Sequence, residues 1–78
     1  MTPEEISKDY EERAKAEREA GGSVEVNERF PYIGLTMSDG SEYFMQGEEA
    51  EKLIDEYWKF DWIGCSLEDY LLAIAQSW

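Results

Sequence analysis

Asp39-Gly40 is the strongest local instruction in this chain. An Asp-Gly pair between two alternating stretches marks a tight antiparallel hairpin, because glycine reaches the left-handed backbone conformation such turns need without steric cost. Read as a two-residue loop, it pairs Ser38 with Ser41, Met37 with Glu42 and Leu35 with Phe44. Side chains alternate across a strand, so Ile33, Leu35, Met37 and Phe44 fall on one face, the natural core face. Tyr32, Thr36, Tyr43 and Met45 fall on the other, a half-apolar surface that needs a cover or a partner. Upstream, Val24 and Val26 alternate with Glu25 and Asn27, and Pro31 separates that run from Tyr32 to Met37. Residues 23–46 therefore read as a β-meander.

Helices flank the meander. Thr2-Pro3-Glu4-Glu5 combines an N-cap threonine, proline at the first helical position and the glutamate of a capping box, and Gly21-Gly22 supplies the stop. Glu4–Lys8, Asp9–Arg13 and Glu11–Lys15 each place an acid four residues before a base, the spacing that supports a solvated helix. The apolar side is thin, carried by Ile6, Tyr10 and Ala14 and interrupted by Arg13 and Glu17. The expectation is a first helix over residues 1–20 that docks loosely. Its last two turns should stand in water, a candidate mobile arm.

A second helix is expected from Gly47 to about Phe60. Ala50, Leu53, Ile54, Tyr57, Trp58 and Phe60 fill one arc, and Glu48, Glu49, Glu51, Asp55 and Glu56 fill the other, with Lys52 and Lys59 among them. Three glutamates in the first turn suit the positive end of the helix dipole. After the linker Asp61-Trp62-Ile63-Gly64-Cys65, Ser66 caps a third helix with Asp69 at its third position. Leu67, Tyr70, Leu71, Ile74 and Trp78 line its expected buried face. The order is α-β-β-β-α-α, an α+β fold in one domain over residues 1–78, with 47–78 a helical pair on the sheet.

A chain of 78 residues holds a single core, and its 42% hydrophobic content, 11 aromatic residues included, suffices to build one. Cys65 is the only cysteine, so no internal disulfide forms, which fits a reducing compartment. Residues 1–20 are charged almost throughout, unlike a signal peptide. The longest apolar run, Tyr70 to Ala75, is far short of the roughly 20 residues that span a bilayer. The expected location is the cytoplasm.

Nineteen acids against seven bases leave a net charge of −12. That sign excludes direct binding of a phosphate backbone and repels an anionic membrane surface, while it favours a basic protein surface. The competing reading is that the charge only keeps a small protein dissolved. Catalysis has few parts to draw on. Without histidine, the usual general base and the Ser-His and Cys-His nucleophile pairs are absent. Cys65 lies just before a helix start, where a dipole can lower a thiol pKa, but its neighbours Trp62 and Ile63 favour a packing role. Two carboxylates can do glycosidase work, but so small a domain offers no cleft for a sugar. Asp39-Gly40-Ser41-Glu42 lacks the spacing of a calcium loop, and no phosphate-binding or dinucleotide motif occurs. No enzyme activity, cofactor or metal site is expected.

What remains is acid. From Glu48 to Glu56 five carboxylates span about 12 Å of helix axis at ~1.5 Å per residue. Neighbours on such a face lie about 6 Å apart, comparable to consecutive phosphates on one strand. Asp39 and Glu42 at the hairpin tip and Glu68 and Asp69 at the start of the third helix extend the set, if those regions adjoin. An ordinary solvated helix face is the plainer account of the same residues.

The stretch Ser38-Asp39-Gly40-Ser41-Glu42-Tyr43, followed by an acidic helix and a capped final helix, resembles small phage-encoded anti-CRISPR proteins. The likeness covers roughly residues 33–78 and is nearest to the DNA-mimicking kind that blocks a Cas nuclease, of the same α-β-β-β-α-α order. It implies an inhibitor acting in the host cytoplasm, with Asp39, Gly40, Ser41 and Glu42 at the inhibitory hairpin and Glu68 and Asp69 as supporting acids. The implied partner is a Cas nuclease or a Cascade-type complex. Two other readings stand beside it. One is an immunity protein or antitoxin that plugs a basic toxin site with the same acids. The other is an interaction module that uses Tyr32, Tyr43 and Trp78 for docking or for forming a homodimer.

Overall fold

A computed structural model describes residues 2–59 and 65–78. Its elements are α1 (Pro3–Glu19), β1 (Ser23–Asn27), β2 (Tyr32–Thr36), β3 (Glu42–Gln46), α2 (Glu48–Lys59) and α3 (Leu67–Ala75). The expected α-β-β-β-α-α order is the observed one. Phe60 and the linker residues Asp61, Trp62, Ile63 and Gly64 lie outside the described residues.

Local chemistry sets the helix ends. The Glu5 amide donates to the Thr2 hydroxyl at 3.3 Å and the Thr2 amide to the Glu5 carboxylate at 3.4 Å, a complete capping box. Asp9 pairs with Arg13 at 3.1 Å, as their spacing predicts. At the other end the Gly22 amide donates to the Glu17 carbonyl at 2.7 Å. A Cβ on Gly22 would lie 2.9 Å from that carbonyl oxygen, so the chain can leave α1 this sharply only through glycine. Ser66 caps α3, its hydroxyl accepting from the Asp69 amide at 3.2 Å.

The three strands form an antiparallel sheet in the order β1-β2-β3. Its register departs from the two-residue hairpin. The Met37 amide donates to the Ser41 carbonyl at 2.8 Å and the Gly40 amide to the Met37 carbonyl at 3.0 Å, leaving Ser38-Asp39-Gly40 as a three-residue loop. Gly40 has φ +93, the left-handed residue that completes a type I turn with a bulge. Asp39 fixes the loop by accepting from the Ser41 amide at 2.9 Å. An Asp-Gly pair serves either loop, and the choice shifts β3 by one residue. Leu35 therefore opposes Tyr43, and Gly34 opposes Phe44.

A one-residue shift exchanges the two faces of a strand. Tyr43 and Met45 join Ile33, Leu35 and Met37 on the core side, while Phe44, expected in the core, is 67% exposed on the other. There its ring lies 6.3 Å from that of Tyr32.

Between α1 and the sheet runs α3, which explains why it buries more than one face: Leu67, Tyr70, Leu71, Leu72, Ala73 and Ala75 are all buried. Ile74 is only partly buried, and Trp78, past the helix end, is 47% exposed with its ring edge-on to Tyr43 at 5.3 Å. The last turns of α1 are docked along one side, while Lys15, Ala16 and Glu19 stand in water as expected. Ala14 is fully buried, Tyr10 packs on Tyr70 at 6.0 Å, the Gln76 side chain donates to the Arg13 carbonyl at 3.0 Å, and Arg18 pairs with Asp69.

In α2, Ala50, Ile54 and Tyr57 are buried and Leu53 is half-buried. Trp58, expected on that arc, is 60% exposed, and its indole N–H donates to Glu28 at 2.7 Å. The Gly47 amide, ahead of the helix, donates to the Pro31 carbonyl at 3.1 Å. Both ends of α2 are thus tied to the β1–β2 turn, itself shaped by the Asn27 side chain accepting from the Arg29 and Phe30 amides.

Candidate acidic interface

The buried side of α2 orients its opposite side outward. Glu48, Glu49, Glu51, Asp55 and Glu56 are all exposed. Among the described residues none of these five carboxylates forms an ion pair, and neither does Lys52 or Lys59. The five acids and two lysines leave −3 on this one face, −5 and +2. Among the described residues, this is where the structure brings several of the expected acids together on a single helix.

The remaining acids lie elsewhere. In a meander the β2–β3 loop and the β1–β2 turn occupy opposite ends of the sheet, about 17 Å apart for five-residue strands at ~3.4 Å per residue. Asp39 and Glu42 sit at the loop end, whereas α2 is tied to the turn end. Asp39 borders a hollow of about 170 Å³ with Glu17, Gln76 and Trp78, beyond the C-terminal end of α3. Its carboxyl is held below the usual range by the Ser41 amide hydrogen bond. Gly40 and Ser41 shape the loop, and Ser41 is half-buried. Glu68 lies at the opposite, N-terminal end of α3, exposed beside β1. Asp69 is engaged internally by Arg18, its side chain only 18% exposed. The expected acids form separate groups, of which α2 carries the largest.

Cys65 is buried, and burial, followed by the charges of Asp69 and Glu11, pushes its thiol up to about 11. That is the opposite of an activated thiolate. Its proposed neighbours Trp62 and Ile63 lie outside the described residues. The Tyr57 hydroxyl donates to the Cys65 carbonyl at 2.6 Å, a buried contact joining α2 to the start of α3. Among the described residues no group of three acids or cysteines is placed to hold a metal ion, and no helix is long and apolar enough to cross a membrane.

Two surfaces escaped the sequence reading. The open face of the sheet carries Tyr32 with Phe44 rather than with Tyr43, and the edge of β1 borders a hollow. The signal for the first was Gly40 itself, whose place in the loop decides which aromatic turns outward. The chain matches no known family model, no curated protein and no solved structure.

Proposed function

We propose that this chain is a non-catalytic acidic inhibitor that lays the carboxylates of α2 on the nucleic-acid-binding surface of a partner protein. One observation carries the reading: five exposed acids, unpaired among the described residues, stand on a helix whose other side is anchored in the core. Fixed carboxylates at helical spacing offer lysine and arginine side chains the charge they meet along a phosphate backbone, without the ordering entropy of a flexible acidic tail. The anti-CRISPR resemblance makes a defence nuclease or CRISPR effector the target class to try first. The separation of the hairpin acids from α2 gives α2, rather than the hairpin, the leading role.

The test is competition. Purified partner should bind either this protein or its own nucleic acid, with binding that weakens as salt rises. Reversing Glu48, Glu49, Asp55 and Glu56 to lysine should abolish the competition while the thermal transition persists. A folded quadruple variant that still displaces nucleic acid fully would end this reading.

A further inference from the structure

We infer that the outer edge of β1 is a docking site for an extended, arginine- or lysine-bearing segment of a partner protein, which adds to the sheet as a fourth strand. The site is separate from the α2 face and does not depend on it. With sheet order β1-β2-β3, β1 is a terminal strand, so alternate backbone N–H and C=O groups of Ser23–Asn27 point away from β2. Along it lies an open hollow of about 400 Å³ bordered by Val24, Glu25, Val26, Asn27, Tyr32 and Glu68.

Its lining specifies the guest. Val24 and Val26 are only half-buried, leaving apolar surface on the side facing α3, where Glu68 forms the rim. On the open face Glu25 is exposed, and the Tyr32 ring beyond it offers a surface for a guanidinium. Neither Glu25 nor Glu68 pairs with a cation among the described residues. A guest strand presents alternate side chains to these two sides, and both end at a carboxylate. A second copy of this chain meets the wrong charge, since each copy carries −12. A cationic segment meets the right one. Backbone pairing supplies affinity here and the two carboxylates supply selection.

The probe is a fluorescent decapeptide of alternating arginine and valine, titrated near 0.15 M salt, where screening acts beyond about 8 Å. Glu25→Lys with Glu68→Lys should weaken binding at least about tenfold, the scale of close interfacial charge pairs. Glu12→Lys with Glu19→Lys, exposed on α1, changes net charge by the same +4, yet should alter binding less than roughly twofold if the site is local. N-methylation of alternate peptide amides keeps every charge but should remove binding. Isotope-labelled protein should show slowed amide exchange at residues 23–27. Glu25→Gln with Glu68→Gln repeats the test if the lysine variant does not fold. Equal losses from the two charge-matched variants, undiminished binding of the methylated peptide, or unchanged exchange at 23–27 would each overturn the assignment. Because no α2 residue is altered, this outcome is independent of the competition experiment.

Discussion

Arg18, in the last turn of α1, forms an ion pair with Asp69, in the first turn of α3, 51 positions along the chain. With Tyr10 against Tyr70 and the Gln76 side chain on the Arg13 carbonyl, it makes α1 one wall of the core. Arg18→Ala alone should be mild, on the order of 1 kcal/mol or less, because the guanidinium is 45% exposed. Removing residues 2–20 should be severe, since it uncovers the α1 side of an almost wholly buried α3. The expected result is loss of cooperative thermal unfolding in the truncated chain. A sharp transition for the truncated chain would return α1 to the role of an accessory arm.

The hairpin register makes a prediction that inverts simple size. Phe44 is the larger side chain but is mostly exposed, whereas Met45 packs against the core. Met45→Ala should cost about 1–3 kcal/mol, toward the low end for methionine because the site is partly open, and Phe44→Ala less than about 1. Urea unfolding of the two variants settles the order. The two-residue loop predicts the reverse.

Alkaline pH should destabilise the fold. Burial raises Cys65 from 9.0 to about 11 and also raises Tyr57 and Tyr70 above 10.0. For each group the folded state holds its proton longer than the unfolded state does. The contribution to stability is therefore complete below about pH 9 and is lost as pH climbs through the folded values. Ionised Tyr57 also ceases to donate to the Cys65 carbonyl. Stability measured by urea at pH 8, 9.5 and 11 should fall stepwise. Cys65→Ser should remove the thiol's share of the slope, which is the check on its origin.

Thiol labelling gives a second view of the same residue. In the native protein at pH 8 a maleimide should react with Cys65 far more slowly than in urea, because the thiol is both buried and protonated. Equal rates in the two conditions would mean that Cys65 is reachable in the folded state.

Much of the fold was legible because its signals are local. Thr2 with Glu5 and Ser66 with Asp69 each satisfy a helix start within four residues, so sequence spacing alone reveals them. The periodicity of Ala50, Ile54 and Tyr57 likewise needs no tertiary knowledge. Whatever depended on a neighbour was harder. Gly40 suits two loop lengths, and closure by Ser41 onto Met37 selects one. Ala14 looks too small to anchor a helix until α3 lies against it, and Trp58 looks buried until Glu28 offers its indole a partner outside. For the acids, composition revealed their abundance. Their grouping was set by which end of the sheet each element occupies, and Asp69 proved to be engaged by Arg18.

The outward pair Tyr32 and Phe44 has a colloidal consequence. Such an aromatic face on a nearly neutral domain would be sticky, and here the surplus of ionised carboxylates, −12 overall, keeps molecules apart. Acidification removes that repulsion while leaving the rings exposed. Light scattering should therefore report reversible clustering as the pH approaches 4, and Phe44→Ser should shift its onset to higher protein concentration. A variant that clusters like the parent would place the adhesive surface elsewhere, with exposed Phe30 at the β1–β2 turn the next to test.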